Sequence, residues 1–549
     1  MNVLIKGFCC FLALVVIGCS SEKPVADTAP EKMDRPNILL IVADDLGYTD
    51  IGAFGGEIPT PTLDSLAQSG VMLTDFYVAP TCSPTRAMLM SGTDNHRAGL
   101  GAMAEFMQAA APELMGKPGY EGHLNDQVAP LPQLLKDAGY DTYMTGKWHL
   151  GLEKETSPAA RGFDKSFALL HGGSGHFSDL GLGADTPKAL YRENGELTEL
   201  PDDFYSTQFY AERMIQYISD RENADKPFFG YLAYTAPHWP LQAPEESVAR
   251  HEGRYSEGHK TILAERLKRQ KALGLIPADT DIEQYMAMVP DWDSLSEQEQ
   301  RVAERRMEIY AAMIEDIDRY TGKLVDRLKA MGEYENTLIL FMSDNGAQAG
   351  GLPTFYQWAA QCCDNSHENM GKSDSYLFPE EEWARVSTGI FKGFKGQVTE
   401  GGIRAPAILH YPRAGISGGR YGQFLSAKDV LPTLLEFAGT EHPGTRYQGR
   451  EVHPVQGKSF APVVFGEQAA VHADDYNMGW ELFGDKALRR GDWKLVFDSR
   501  GDRKWRLYNL AKDPGERDDL AQQEPERFKT LMAEWEEYVE DNGVILKYD

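Results

Sequence analysis

The chain has 549 residues, of which 42% are hydrophobic and 25% charged, a composition typical of globular proteins and unlike that of disordered, fibrous or many-span membrane chains. It carries 55 Lys and Arg against 83 Asp and Glu, for a formal net charge of -28. This charge repels polyphosphate backbones, so no nucleic acid partner is expected.

The first nineteen residues have the pattern of an export signal. Lys6 precedes an apolar run, residues 8–17, that is too short to span a bilayer in the mature protein. The segment Val16-Ile17-Gly18-Cys19 resembles a bacterial lipobox, in which Cys19 would be lipidated; cleavage as a plain signal peptide is the alternative. We therefore expect an exported protein, periplasmic or anchored to the outer membrane as a lipoprotein, with residues 1–19 as the signal peptide and residues 20–34 as a flexible tether.

Four apolar runs predict strands that are buried on both faces of a parallel sheet, and each run ends in polar residues. These runs cover residues 37–42, 140–145, 228–234 and 337–342. Helices predicted at 131–138 and 297–331 alternate with them, which indicates an α/β layered domain over residues 35–412. Because ligands of α/β sheets bind at the carboxyl ends of strands, the polar residues should meet at one edge.

Two polar segments containing Gly and Pro, residues 172–203 and 247–295, interrupt this alternation and are predicted to be loops that shape the mouth of a pocket. The pattern then changes after residue 412 to short strands and a final helix, predicted at residues 493–498, 505–510 and 525–541. Residues 413–549 are therefore expected to form a smaller C-terminal α+β subdomain.

The segment Thr81-Cys82-Ser83-Pro84-Thr85-Arg86 has the pattern of a helix start. Pro84 suits a first helical turn, which places Cys82 at the N-terminal end of the helix, where free amides bind anions. Arg86 follows four residues later and projects from the same face, so a sulfur-derived group and a fixed cation would share one site. For this segment alone, an inert buried cysteine is the alternative.

Oxygen-bearing side chains follow two of the predicted strands. Asp44 and Asp45 follow the first strand, and Asp344 and Asn345 follow the fourth. Such oxygens suit a hard cation, calcium or magnesium, better than zinc. Each pair alone could be a solvated turn, but both pairs together with Cys82 predict a metal site.

Other segments supply side chains that can carry positive charge. Lys147 and His149 are two residues apart at the end of the second strand, so an extended chain would point both into one pocket. His238 follows the third strand, and Lys395, with Lys392 as an alternative, lies in a glycine-rich segment that can approach a ligand closely. Each of these residues alone is also compatible with a surface or structural position.

Together these blocks resemble the formylglycine-dependent, or type I, sulfatase family. Its signature is similar to Cys82-Ser83-Pro84-Thr85-Arg86, and further blocks match in the family's order at residues 43–47, 146–151, 237–238, 343–346 and 395–404. The resemblance covers about residues 35–412 and is greatest to secreted bacterial arylsulfatases. It implies an alkaline-phosphatase-like fold, with a central mixed, mostly parallel sheet flanked by helices.

The resemblance also implies a nucleophile and a metal. Cys82 would be converted to formylglycine by a maturation enzyme, and its hydrate would attack the sulfur of a sulfate monoester. One calcium ion would be held by Asp44, Asp45, Asp344 and Asn345, together with the modified residue 82.

Roles for the other side chains follow from the same resemblance. Arg86 would hold the attacking hydroxyl and Lys147 would contact the sulfate. His149 would help to release sulfate from the sulfated enzyme, and His238 and Lys395 would stabilise or protonate the leaving oxygen.

Other interpretations stay open at this level. A phosphonate monoester or phosphodiester hydrolase of the same superfamily would use most of these residues, and a non-catalytic sulfoglycan-binding lipoprotein would retain the fold. The substrate, an aryl sulfate or a sulfated sugar, is not determined by the motifs. His171 and His176 could line the pocket mouth, and Cys362-Cys363 could form a vicinal disulfide, remain thiols or bond to a partner.

Overall fold

A mixed sheet of eleven strands lies at the centre of the molecule. The computed structural model describes residues 35–416 and 418–546, so the signal, the tether and Cys19 lie outside the described residues. The strands are, in chain order, β1 (Asn37–Ala43), β2 (Val71–Tyr77), β3 (Asp141–Lys147), β4 (Lys165–Leu169), β5 (Leu180–Gly183), β6 (Thr186–Lys188), β7 (Tyr191–Glu193), β8 (Glu196–Thr198), β9 (Phe228–Ala233), β10 (Thr337–Ser343), β11 (Arg404–His410), β12 (Gly419–Tyr421), β13 (Leu425–Ser426), β14 (Arg446–Tyr447), β15 (Arg450–Glu451), β16 (Asn477–Leu482), β17 (Asp485–Arg490), β18 (Trp493–Phe497) and β19 (Trp505–Asn509).

Helices surround this sheet. They are α1 (Pro61–Ser69), α2 (Cys82–Ser91), α3 (Ala104–Ala110), α4 (Leu131–Asp137), α5 (Ser206–Ser219), α6 (Glu245–Ala249), α7 (Gly258–Leu273), α8 (Ile282–Met286), α9 (Glu297–Ala330), α10 (Pro353–Cys362), α11 (Glu381–Thr388), α12 (Glu400–Ile403), α13 (Val430–Phe437), α14 (Ala461–Val464) and α15 (Pro525–Asn542). In the described part of the chain, no helix combines the length and the apolar character that a membrane span requires.

The main sheet has the strand order β12-β2-β11-β10-β1-β9-β3-β4-β7-β8, and β13 also pairs with β2. Strands β10, β1, β9, β3 and β4 are parallel to their neighbours in this series, whereas β11 and β7 run antiparallel to theirs. The four predicted apolar runs are β1, β3, β9 and β10. The predicted mixed, mostly parallel sheet is confirmed.

Burial on both faces explains the continuous apolar sequence of β1. Alternate side chains point to opposite sides of a strand, so Leu39 and Ile41 enter one hydrophobic core and Ile38, Leu40 and Val42 enter the other. Helix α9 packs in the first core and helix α13 in the second. The sheet is therefore covered by helices on both faces, as predicted.

The two interrupting segments fold differently from each other. Residues 172–203 contain β5 to β8, of which β7 and β8 extend the edge of the main sheet. Residues 247–295 contain α7, a helix of 16 residues, so the prediction of a loop is wrong here. The polar composition of this segment includes Arg266, which is fully buried in the fold. There it forms ion pairs with Asp50 and Glu57 from another segment.

After residue 412, strands β16 to β19 form an antiparallel sheet, and α15 packs on it through Leu531 and Trp535. This confirms the smaller α+β part. Strands β12 and β13 nevertheless pair with β2 in the main sheet, so the domain boundary at residue 412 stays a prediction.

Candidate active site

Cys82 is the first residue of α2, and its side chain is buried in front of the carboxyl end of β1. Pro84 lies in the first turn, as predicted. The thiol donates to Oδ1 of Asp44 at 3.3 Å. Burial and the negative charge of Asp44 raise the pKa of the Cys82 thiol, against an opposing effect of Lys147. An unmodified thiol here is therefore a poor nucleophile at neutral pH.

Two buried lysines neutralise the carboxylates that follow β1. Nζ of Lys147 donates to Oδ2 of Asp44 at 2.6 Å, and Nζ of Lys395 lies 2.8 Å from Oδ1 of Asp45. Burial disfavours the ammonium of Lys395, but the nearby groups Asp45, Cys82 and Asp44 together outweigh burial and raise its pKa. Both lysines thus form ion pairs beside Cys82.

Arg86 is fully buried one helical turn after Cys82. Its Nε and Nη2 donate to Oδ2 of Asp344 at 2.9 and 2.7 Å, and its Nη1 donates to the backbone carbonyl of Lys147 at 2.7 Å. These three bonds fix the plane of the guanidinium, which a lysine could not reproduce. Burial and Asp44 raise the pKa of Asp344, whereas Arg86 opposes the rise.

The carboxylate and amide oxygens around Cys82 fit a hard cation, whereas the thiol of Cys82 and the imidazole of His238 in the same group do not. Ligand atoms of Asp44, Asp45, Cys82 and His238 all lie within 4.8 Å of one another. Nδ2 of Asn345 donates to Oδ1 of Asp45 at 2.7 Å, which leaves Oδ1 of Asn345 buried and without a hydrogen-bond partner. An orphaned amide oxygen next to two carboxylates is the kind of ligand set that calcium takes.

His238 faces the same carboxylates with one ring nitrogen. Its Nδ1 donates to the carbonyl oxygen of Trp239 at 2.6 Å, so the other nitrogen, Nε2, carries the lone pair of the neutral ring. Nε2 lies 3.8 Å from Oδ2 of Asp45. Burial, with Lys395 and Lys147, holds the pKa of His238 well below its usual value.

His149 lies across the site and is oriented by a carboxylate. The chain leaves the extended conformation after Lys147 and takes a φ of 58° at His149, so the expectation of a continued strand is wrong. Nε2 of His149 donates to Oε2 of Glu105 at 3.1 Å, and Nδ1 is buried without a partner. Burial lowers the pKa of His149 despite the attraction of Glu105.

The first interrupting segment reaches this site through two glycines. A Cβ at Gly172 would lie 2.9 Å from Cε1 of His149, and one at Gly173 would lie 3.1 Å from the ring of His238. The backbone of this segment can therefore pack directly against both imidazoles. His171 is mostly buried near Glu105.

All the side chains that the sequence predicted for the site are buried around Cys82. These are Asp44, Asp45, Arg86, Lys147, His149, His238, Asp344, Asn345 and Lys395. Lys392, the alternative to Lys395, instead approaches the backbone of Glu516. A separate cavity of about 890 Å³, lined by side chains such as Tyr476, contains none of the predicted site residues.

Sequence reasoning missed Glu105, and it expected His176 only at the pocket mouth. Glu105 holds His149 from helix α3, and His176 is buried with its Nε2 donating to the carbonyl oxygen of His238 at 2.9 Å. Neither belongs to a motif, because each acts through a contact that is distant along the chain. Cys362 and Cys363, left open above, form a vicinal disulfide at the end of α10.

Comparison with known proteins agrees with this arrangement. The sulfatase profile matches residues 36–440. The chain belongs to the sulfatase family. It is therefore an enzyme that hydrolyses sulfate esters. Its central sheet is the alkaline-phosphatase-like sheet that the family shares. A second profile, the C-terminal region of N-sulphoglucosamine sulphohydrolase, matches residues 390–542.

Relatives of this sulfatase match along most of its length. It is 43% identical to an uncharacterized sulfatase of Schizosaccharomyces pombe over 94% of this chain and 95% of the relative. It is 37% identical to an arylsulfatase of Klebsiella aerogenes over 79% of this chain and 92% of that protein. The solved structure of Ps i-CgsB with k-i-k-neocarrahexaose matches with a TM-score of 0.65 and 26% identity, over 92% of this chain and 93% of the other.

Proposed function

We propose that this sulfatase is an arylsulfatase-type hydrolase of sulfate monoesters, with a formylglycine made from Cys82 and one bound calcium ion. The observation that carries the proposal is the convergence on Cys82 of two acidic side chains, Asp44 and Asp45, and three cations, Arg86, Lys147 and Lys395. Similarity to the arylsulfatase of Klebsiella aerogenes supports the same activity.

The hydrate of formylglycine supplies a hydroxyl nucleophile at the N-terminal end of α2, which a buried thiol does not. Calcium would be held by the oxygens of Asp44, Asp45, Asp344 and Asn345 and would supply positive charge to the site. Because the site is buried, each fixed charge acts in a medium of low dielectric constant and stabilises developing negative charge strongly.

The cationic side chains bind and orient the sulfate group. Lys147 and Lys395 each have ammonium protons to offer to sulfate oxygens once a ligand competes with Asp44 and Asp45. Arg86 keeps its position through Asp344 and a backbone carbonyl. The sulfate is therefore held on several sides by fixed positive charges.

The two histidines divide the proton transfers. Nδ1 of His149, buried and free of a protein partner, accepts a proton when sulfate is released, while Glu105 holds the opposite nitrogen. His238 protonates the leaving oxygen from Nε2, and must first gain a proton there because Nδ1 is committed to the carbonyl of Trp239. Negative charge of a bound sulfate favours that protonation.

We also propose export, with lipidation of Cys19 and a maturation enzyme as partner; the support is the sequence pattern alone. A surface position suits an enzyme whose substrates are outside the cell. Membrane-fraction mass spectrometry of the N-terminal peptide tests this part independently of the chemistry, and an unmodified, soluble N-terminus would contradict the anchor.

Mass spectrometry of the peptide across Cys82, from protein made with a maturation enzyme, is the direct test. Conversion of CH2SH to CHO lowers the mass by about 18 Da. Cys82→Ala should abolish sulfate ester hydrolysis, whereas Ser69→Ala, an exposed substitution at the end of α1, should not change it. An unmodified thiol in fully active protein, or hydrolysis by Cys82→Ala, would overturn the proposal.

A phosphonate monoester or phosphodiester hydrolase would use a similar set of charges. Turnover of phenyl sulfate and of a phenyl phosphodiester by the same preparation separates the two functions. We expect the sulfate to be the better substrate, and a large excess for the diester would replace the proposed activity.

A further inference from the structure

The segment that carries Lys395 is a short closed loop. We call residues 392–403 the lysine loop. The amide of Gly401 donates to the carbonyl oxygen of Lys392 at 2.7 Å, which joins the two ends, and α12 forms the second end. The amide of Lys395 donates to the carbonyl oxygen of Ala347 at 2.9 Å. The position of Nζ of Lys395 therefore depends on where this loop is held.

Buried ionisable side chains tie the lysine loop to the C-terminal sheet. Glu400 begins α12 and is fully buried. Its Oε1 lies 2.8 Å from Nζ of Lys494 in β18, and its Oε2 accepts from the hydroxyl of Tyr77 at 2.5 Å. Lys494 is also fully buried and forms a second ion pair with Glu516, at 2.8 Å. Glu516 in turn accepts from the amide of Glu400 at 2.8 Å.

A second contact from the C-terminal part reaches the loop next to Lys395. Arg500 lies in the turn after β18, and its Nη2 donates to the carbonyl oxygen of Gly396 at 2.8 Å. Asp485 of β17 pairs with the same guanidinium. The side chain of Arg500 is 59% exposed, so it can be replaced without opening a cavity in the interior.

We infer that Lys494 is a positioning residue, and that the C-terminal sheet, through Lys494 and Arg500, holds the lysine loop where Nζ of Lys395 reaches the site. This inference rests on the proposed function. The side chain of Lys395 is 8% exposed, and its Nζ lies 2.8 Å from Oδ1 of Asp45. A side chain held this closely has little freedom to compensate for a displaced backbone, and a displacement of about 1 Å can cost about a hundredfold in rate.

A purely stabilising role explains these contacts less well. Apolar side chains of similar volume often replace a buried ion pair with no loss of stability. Ion pairs and hydrogen bonds differ from apolar contacts because each needs a particular geometry, so a satisfied network specifies one arrangement. Here the bonds of Lys494 and Glu516 converge on Glu400, the residue that begins α12.

Single variants of the formylglycine-containing enzyme give the first measurement, with phenyl sulfate as the substrate. Lys494→Met should lower kcat/KM by about tenfold, because the lysine loop loses its buried anchor. Arg500→Ala should lower it by about threefold, since one contact of the loop is lost. An unchanged kcat/KM in Lys494→Met would overturn the inference.

A double-mutant cycle with Lys395 separates positioning from a general structural role. Lys395→Met alone should lower kcat/KM by about a hundredfold. If Lys494 acts through Lys395, the double variant should be no slower than Lys395→Met, because the ammonium that Lys494 positions is already absent. A loss of about a thousandfold in the double variant, the product of the two single losses, would overturn the inference.

The matched control is Arg221→Met, which also removes a buried cation. The side chain of Arg221 is 2% exposed and pairs with Glu333. Glu333 accepts from Asn37 at the start of β1, at the other end of the strand from Asp44. This variant should leave kcat/KM unchanged, and a tenfold loss here would show that any buried cation has the same effect and would overturn the inference.

Urea denaturation shows whether each variant is folded before its kinetics are compared. If Lys494→Met does not fold, the same cycle with Arg500→Ala decides, and independent losses of Arg500→Ala and Lys395→Met would refute the inference. If the unsubstituted, formylglycine-containing enzyme hydrolyses no sulfate ester, the proposed function fails. Independent losses in an active enzyme refute only the positioning role.

Discussion

Replacing Glu105 with glutamine should shift the pH dependence of turnover through its effect on His149. The two side chains are joined by one hydrogen bond of 3.1 Å, and the side chain of Glu105 is 37% exposed whereas that of His149 is 5% exposed. The carboxylate is partly screened by water whereas the imidazole is buried, so Coulomb's law with the dielectric constant of water gives a lower limit, about 1.3 kcal/mol for unit charges at this separation, or about one pH unit. Glutamine keeps an acceptor oxygen but removes the charge.

The direction follows from the charge. Glu105 favours the protonated imidazole, so Glu105→Gln lowers the pKa of His149 further below its usual value. Since the unprotonated Nδ1 accepts a proton in the proposed reaction, the acidic limb of kcat should move to lower pH by about one unit. The plateau should fall only slightly, because the amide oxygen can still hold Nε2.

Steady-state kcat for an aryl sulfate, measured between about pH 4 and pH 8, gives the two limbs. Glu222→Gln, which removes an exposed carboxylate from the surface, is the control and should leave the profile unchanged. An acidic limb that stays in place, or that moves to higher pH, would refute the assignment of His149 as the proton acceptor. A purely structural role of Glu105 would lower the plateau without moving the limb.

Three further outcomes are expected. Arg86→Lys should lower kcat/KM by about a hundredfold in steady-state assays, because a single ammonium nitrogen cannot occupy the positions of Nε, Nη1 and Nη2, which reach Asp344 and a backbone carbonyl. An unchanged value would contradict the role of the fixed guanidinium. Arg266→Met should lower the free energy of unfolding, measured by urea denaturation, by about 3–5 kcal/mol, since it leaves Asp50 and Glu57 buried without their cation. A variant more stable than the unsubstituted protein would show that packing outweighs the ion pairs. Dialysis against a chelator should abolish activity and calcium should restore it, whereas activity that survives dialysis would argue against the proposed metal.

Much of the architecture is predictable from the sequence, because a buried parallel strand is a continuous run of apolar residues. Strands β1 and β10 are apolar along their length since both faces are covered. Polar residues directly after them must lie at one edge of the sheet, so the sequence alone groups Asp44, Asp45, Asp344 and Asn345. The start of α2 at Cys82 was equally predictable, because Pro84 suits a first turn.

Local pattern failed where a polar side chain is buried by partners from elsewhere. The polar composition of residues 247–295 predicts a loop, yet the segment contains α7, in which Asp50 and Glu57 neutralise the buried Arg266. The left-handed backbone at His149, directly after β3, is also not predictable from the sequence. This conformation is usual for glycine, and a histidine gives no indication of it.

By itself, the sequence determined the family, the polar residues at the ends of the strands and the residues next to Cys82. Each of these is a short motif, or directly follows a regular element. Only the tertiary structure decided how those residues are oriented. It paired Glu105 with His149 across 44 positions and set the tautomer of His238 through a backbone carbonyl. Such contacts depend on how the whole chain folds, so they cannot be predicted from the spacing of residues along the sequence.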